Sequence, residues 1–509
     1  MPNLGLAADN KVLRFVPRQN LANFDPTWTT LVVVRNGALL IWDTLYGIDD
    51  TLEPRPQMAE GHEVTPDFKT WTFRLRPGLK FHDNEPVRST DAIASIARWM
   101  ARDAMGGRIK LRLDAMEAID DRTFRIRLNA PFSKMLYALG KASQPALFIM
   151  PERIAKTDPF RQITEHVGSG PMRFKESEFV TGSMAIFERF ADYQPRPEKA
   201  NWLSGGKRIN FDRIEWRIIP DAATASAALR NGEVDWWEIV NPDLIPMLKK
   251  TPNVATAVSN PLGRLGTTHF NHLHPPFDDV RARRALQLVT NQIDYMAAAF
   301  GDATDLYQAS ASFFTPGTPL YSEQGGDVLK GERQIGKAKQ LLAEAGYKGE
   351  PIVLLAATED PFKAFADVTA EVLKQLGMTV RYDAMDFGTL AQRRTSKAKP
   401  SEGGWHLLQT SHQGDTCVNP AAYTELEATG DRAWFGWPKS ELVQSKFDDW
   451  YAATDLAGEK KATAELNQAG MEHATFIPLG FYKDTQAWRT NLSGMVAAPF
   501  PVFWDVTKT

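Results

Sequence analysis

The chain has 509 residues, more than one hydrophobic core usually organises, so two or more lobes are expected. With 43% apolar and 24% charged residues and no run of about 20 uncharged apolar residues, it reads as a globular chain without a bilayer-spanning helix. A net charge of -3 gives no reason to expect nucleic acid or an anionic membrane as partner, and Cys417, the only cysteine, can form neither an intrachain disulfide nor a thiolate zinc cluster.

The N-terminal stretch lacks the basic-then-apolar signature of an export signal. Residues 12–16 read as a first strand, followed by the loop Leu21-Ala22-Asn23-Phe24-Asp25-Pro26 and an apolar helical stretch at 37–45. Arg35 and Asn36 interrupt the most apolar early segment.

Residues 56–100 then read as strand, turn, strand, turn and helix. Trp71, Phe73 and Leu75 alternate with Thr72, Arg74 and Arg76, the period of two that sets one strand face on a core. Pro77-Gly78 turns the chain toward a partner strand at 79–81. A corner at His82-Asp83-Asn84-Glu85-Pro86 leads to a helix capped by Ser89 or Thr90, with Asp91 in its first turn and Ile93, Ile96, Ala97 and Met100 on its buried face.

Further on come a strand at 123–128, an apolar stretch at 135–139, a strand at 211–219 and an Ala-rich helix at 221–230 closed by Asn231-Gly232. A strand at 265–271 enters the corner Pro275-Pro276-Phe277-Asp278-Asp279, and the helix from Val280 carries Ala285, Leu286, Val289, Ile293 and Met296 on one face. Helices at 338–346 and 362–377 end at Gly346 and Gly377, a strand follows at 378–382, and the chain turns apolar again at 476–481.

Ala59-Glu60, Leu75-Arg76, Gly78, Phe81, Asp83, Pro86 and Asp91 stand where an "AE" pair, an "LR.G..F.DG.P" strand end and an "A.D" helix start occur in the peptide/nickel class of extracytoplasmic solute-binding proteins, the receptors of ABC importers, which this chain resembles. Asn84 replaces the usual turn glycine; asparagine also tolerates a left-handed backbone. Gly168-Ser169-Gly170-Pro171, Gly232-Glu233-Val234-Asp235 and the "N...PPF.D.R.R.AL" run from Asn271 resemble further family motifs in the expected order.

The resemblance implies an α/β, two-lobed periplasmic-binding-protein fold of the large three-subdomain type, with mixed sheets and two hinge crossovers near residues 258–270 and 475–485. Lobe I would comprise residues 1–50, an extra subdomain at 51–170, a second part at 171–260 and a C-terminal part at 481–509, with residues 261–480 as lobe II. It implies a periplasmic location with the export signal removed, an ABC permease as partner, a monomer, no cofactor and no enzymatic activity.

Candidate ligand contacts follow. Trp405, then His412, Asp415, Cys417 and Asn419, occupy a region where family members carry a strand ending in a "W....D....P" loop, and Asp415 matches the aspartate that pairs with a ligand's amino terminus. The alternative is a solvated loop with an Asx-turn. Trp434 and Trp437 beside Gly436 suit an aromatic wall, with Trp28 as the corresponding wall on lobe I, and structural packing is the other reading; Asp25 lies in the stretch that matches the family's "L..LDP" loop, which the resemblance implies faces the ligand cleft. Dipeptide-binding relatives place a carboxylate-binding arginine after the strand that here is 352–355; this chain has Glu359 and Asp360 there, which implies an acidic cleft for a peptide-like or amine-bearing solute unless the two acids cap the next helix. His272 and His274 would share a strand face as metal ligands can, or mark a polar strand end. A rival class, a hydrolase or lyase, would draw acid-base groups from His412 and Asp415, but G-x-S-x-G, P-loop and H-E-x-x-H motifs are absent. A ligand-dependent sensor on the same fold is a third reading.

Overall fold

The computed structural model describes residues 11–21 and 23–509; the first ten residues, which hold most of the stretch read for an export signal, and Ala22 of the Leu21 to Pro26 loop lie outside them. The chain divides into two compact units. One runs up to Pro261 and resumes at Asp484–Thr509, and the other is Leu262–Lys483.

In the first unit the strand Val12–Val16 pairs in parallel with Arg213–Arg217 and Trp236–Val240 inside a seven-stranded mixed sheet. Phe15 is fully buried, with ring centroids 5.4 Å from Trp216, 4.9 Å from Trp236 and 5.1 Å from Phe503, so aromatic area supplies much of this core. Strand Thr485–Arg489 lies between Val254–Val258 and Trp236–Val240, antiparallel to both.

A separate four-stranded antiparallel sheet forms around Thr70–Leu75, which buries Trp71, Phe73 and Leu75 as the alternation predicts. The expected return strand at 79–81 reduces to one bridge between Lys80 and Pro86. Both edges of Thr70–Leu75 are already taken, by Ala59–Val64 and Thr123–Leu128. Asn84 has φ +68°, as its stand-in role for glycine requires.

The apolar helical stretch is Val32–Ile41 rather than 37–45, and it contains the two polar interruptions. Arg35 donates to the carbonyls of Ala142 (2.8 Å) and Pro499 (2.9 Å), and Asn36 donates to Glu238 Oε1 (3.0 Å), so neither is buried unsatisfied. Helix Ser89–Met100 also differs in phase. It buries Ala92, Ile96, Trp99 and Met100 together with Asp91, Ser95 and Arg98, and leaves Ala97 exposed and Ile93 half-buried. Polar partners turn it that way: Arg98 pairs with Asp25, Ser95 Oγ accepts from Met150 N (3.0 Å), and Asp91 accepts from Arg88 N and Glu152 N, each at 2.7 Å.

The second unit is built on a six-stranded sheet in the order Tyr307–Gln308, Phe476–Tyr482, Arg264–Phe270, Leu407–Gln413, Ile352–Ala357, Val380–Met385. Ile352–Ala357 lies parallel to both neighbours and is buried on both faces. Ile352, Leu354 and Ala356 join one core with Phe365 and Leu407, while Val353, Leu355 and Ala357 join another with Trp405, Leu408 and Trp437. A doubly covered parallel strand reads as an unbroken apolar run. The helix expected from Val280 through Met296 is two, Val280–Gln287 and Gln292–Phe300, because Asn291 caps the second by accepting from Ile293 N (3.0 Å); Ile293 is consequently exposed. Among the described residues no helix is long and apolar enough to cross a membrane.

Candidate solute-binding site

Strands Leu407–Gln413 and Arg264–Phe270 pair antiparallel with His412 opposite Leu265 and Leu408 opposite His269, so alternation sets His269 and His412 on one face. Their Nε2 atoms are 2.9 Å apart, a contact in which one neutral ring donates to the other. Burial, aided by the guanidinium groups of Arg394 and Arg264, pushes His412 down to about 3. His412 Nδ1 lies 3.7 Å from Glu425 Oε1, and burial pushes that carboxyl up to about 7.

Trp434, half-buried, packs over this pair, its ring centroid 4.4 Å from His269 and 5.8 Å from His412. The Arg394 guanidinium lies over Trp434 at 5.0 Å and over Phe435 at 4.6 Å. The loop after the strand is fastened at both ends. Gly414 N donates to Gly263 O (2.8 Å), Thr315 Oγ1 donates to Gly414 O (2.7 Å), and Thr315 N donates to Cys417 O (3.0 Å). Asp415 sits in this fastened loop, 2% exposed.

The structure thus gathers His412, Asp415, Cys417 and Trp434 in one unit, and it gives other predicted residues different work. Trp405 is fully buried and donates from Nε1 to Arg394 O (3.1 Å); with Trp437, 6.2 Å away, it forms core rather than a ligand wall. Cys417 is sealed, its thiol pushed well up by burial, and Asn419 accepts from Ala421 N (3.0 Å) to cap a short turn. Glu359 and Asp360 are exposed beyond Ile352–Ala357; both oxygens of Glu359 accept from Phe387 N (3.1 Å), so it caps the helix Phe387–Arg393 and not the one beginning near Pro361.

Asp25 and Trp28 belong to the other unit. The Asp25 carboxylate takes two hydrogen bonds from Arg98 (3.0 and 2.8 Å) and others from the backbone N–H groups of Thr27, Trp28 and Ile163, which leaves it holding the loop rather than meeting a solute. Trp28 is half-buried, its carbonyl accepting from Arg102 (2.8 Å). His272 and His274 bond separate carbonyls, of Thr475 (3.0 Å) and Lys397 (3.2 Å), and no group of three or more metal-ligating side chains occurs among the described residues.

Sequence reasoning missed His269, Arg394 and Glu425. Arg394 is the second of an arginine doublet; Arg393 pairs with Asp383 (2.6 Å), and the next residue on a helix end points about 100° away. His269 shares the face of His412 only once the register of two distant strands is known.

Solved structures with the same architecture are two-lobed periplasmic binding proteins. The binding protein AgaA of A. tumefaciens, in complex with agropinic acid, superposes with a TM-score of 0.81 at 21% identity over 98% of this chain and 99% of that one. A dipeptide-binding protein of Pseudoalteromonas sp. SM9913 in complex with Met-Leu gives 0.81 at 19% identity over 98% of this chain and 100% of that one. At sequence level, residues 53–433 match the bacterial extracellular solute-binding proteins, family 5 Middle. A probable peptide ABC transporter periplasmic-binding protein, y4tO of Sinorhizobium fredii, is 33% identical over 507 residues, 99% of this chain and 94% of its own length. This chain belongs to the family 5 bacterial extracellular solute-binding proteins.

Proposed function

We propose that this protein is the periplasmic receptor of an ABC importer, a monomer that captures a peptide-like or otherwise amine-bearing solute and delivers it to a membrane permease without chemical turnover. The supporting observation is Asp415, which matches the family's amine-pairing aspartate and stands on a loop fastened by Thr315 and Gly263, in the unit where Trp434 offers a half-exposed aromatic face. The full-length likeness to a probable peptide-binding relative supports the same reading. Ligand contacts would favour the closed state of a hinged protein, the form that a permease recognises.

The hydrolase or lyase reading draws its base from His412, and that ring is ill suited to it. A general base works best with a pKa near the working pH, whereas His412 is held at about 3 and already bonded to His269. In the test, dipeptides, amino-acid conjugates and cationic amines are added to the purified protein and its thermal unfolding is followed. A solute at about 100 times its Kd stabilises by roughly 2.7 kcal/mol, and Asp415→Asn should abolish most of that gain for amine-bearing solutes. Ligand-dependent product that disappears in His412→Ala would establish the enzyme instead.

A further inference from the structure

Arg394 is a cation whose donors the protein does not use. A guanidinium carries five N–H donors, and buried ones are ordinarily satisfied. Arg283, in the same unit, shows the ordinary case: its guanidinium donates to the carbonyls of Phe277 (2.8 Å), Asp278 (3.1 Å), His473 (2.9 Å) and Ala474 (3.2 Å). The side chain of Arg394 donates no hydrogen bond to a described residue and its Nε is buried without an acceptor; the carboxylate that acts on it, Glu425, does so from beyond ion-pair distance. What holds it is the pair of aromatic faces, Trp434 and Phe435, against which the planar cation is stacked. Its main chain is fixed as well, by Trp405 Nε1 donating to Arg394 O (3.1 Å) and by Arg394 N donating to Leu390 O (2.9 Å).

An immobilised, aromatic-backed guanidinium with unclaimed donors matches one ligand chemistry best, a planar carboxylate received by two parallel N–H···O bonds. We propose that Arg394 receives a carboxylate of the bound solute, which makes the solute a zwitterion or amino-acid conjugate rather than a simple amine. The proposal rests on the solute-receptor reading above and deepens it. It also replaces the acidic cleft expected from Glu359 and Asp360, since Glu359 caps a helix while Arg394 supplies positive charge in the same unit. Trp434 links this cation to the rest of the site, touching Arg394 on one contact and His269 and His412 on others.

Calorimetry on the full chain with Met-Leu, Ala-Phe and free arginine, each as the free acid and as its carboxamide, tests the idea. For the solute bound, the free acid should bind about 10- to 150-fold more tightly than the carboxamide, the worth of hydrogen bonds to a charged group. Arg394→Gln should erase that difference by weakening the acid and leaving the amide nearly unchanged. Arg394→Lys, which keeps the charge but not the fork, should fall between, and an unchanged circular dichroism spectrum and melting temperature would show that both variants fold. Equal affinity for acid and amide, or an acid preference undiminished in Arg394→Gln, would overturn the role of Arg394 while leaving the receptor reading intact. Binding of no probe in either form would overturn both.

Discussion

The carboxylate of Asp25 is 1% exposed, and its charge is balanced by an equally buried partner, Arg98, at 2.8 Å. Among the described residues of the same unit, Lys207 with Asp43 (2.7 Å), Lys141 with Asp103 (2.8 Å) and Lys508 with Asp235 (3.0 Å) are further such pairs, every side chain at most 5% exposed. A buried pair is weak evidence of net stabilisation, yet removing one member strands the other, at a cost of about 3–5 kcal/mol. Arg98→Met should therefore lower the melting temperature of the first unit markedly, and the double variant with Asp25→Asn should recover part of the loss. A melting temperature unchanged in Arg98→Met would mean that Asp25 carries no buried charge. At this scale the sequence says least, because residue type does not reveal company: nothing in the Leu21 to Pro26 motif shows that the Asp25 carboxylate is taken up by Arg98 and by the backbone of Thr27, Trp28 and Ile163.

Elements were more legible than their partnerships. The alternation in Thr70–Leu75 and the closing Gly232 of helix Ala222–Asn231 are local signals, and they appear as expected; Asp221, read as the first helical residue, is the N-cap instead. The phase of Ser89–Met100 was not local. It is decided by Asp25, Met150 and Glu152, none of them within 50 residues' reach of a periodicity argument. The loop carrying Asp415 depends on distant neighbours in the same way. A Cβ on Gly414 would stand 2.1 Å from Leu262 O, closer than any van der Waals contact allows, so the loop must retreat from the strand entrance if the residue grows. Gly414→Ala is expected to weaken solute binding at least as much as Asp415→Asn does, and calorimetry would show it. Wild-type affinity in Gly414→Ala would show that the loop's anchorage is irrelevant to the site.

For the whole molecule, acidity is the sharpest test. Burial lowers His82, His406 and His473 to about 4 and His412 to about 3, and puts His269 and His272 well below their ordinary value. Each of these rings is neutral when folded and binds a proton once unfolded, so unfolding takes up protons between the folded values and about 6.5. Stability is fully present above pH 6.5 and falls as the pH drops, by roughly 1.4 kcal/mol per pH unit for each ring involved. Glu425, raised to about 7, acts in the opposite sense, losing stability as pH rises from about 4.5 to 7, but it is outnumbered. Calorimetric melting from pH 7.5 to 4.5 should show the transition falling steeply below 6.5, above all in the second unit, which holds five of the six rings. A melting temperature flat across that range would contradict the burial of these histidines as neutral rings. Nothing in the sequence announced this acid sensitivity, since nine histidines scattered through 509 residues show no pattern until the sheets bring them inside.

The order of strands in the first unit also has a consequence for biosynthesis. Val254–Val258 joins its sheet only through Thr485–Arg489, which the ribosome reaches after the whole of Leu262–Lys483 has been made. The second unit is contiguous and can complete its sheet from what has already emerged, whereas the first, begun earlier, must keep a gap between Trp236–Val240 and Val254–Val258 until Thr485–Arg489 arrives. The unit that starts the chain is thus the one that finishes second, and the strand that closes it also ends the interval in which its sheet presents an open edge.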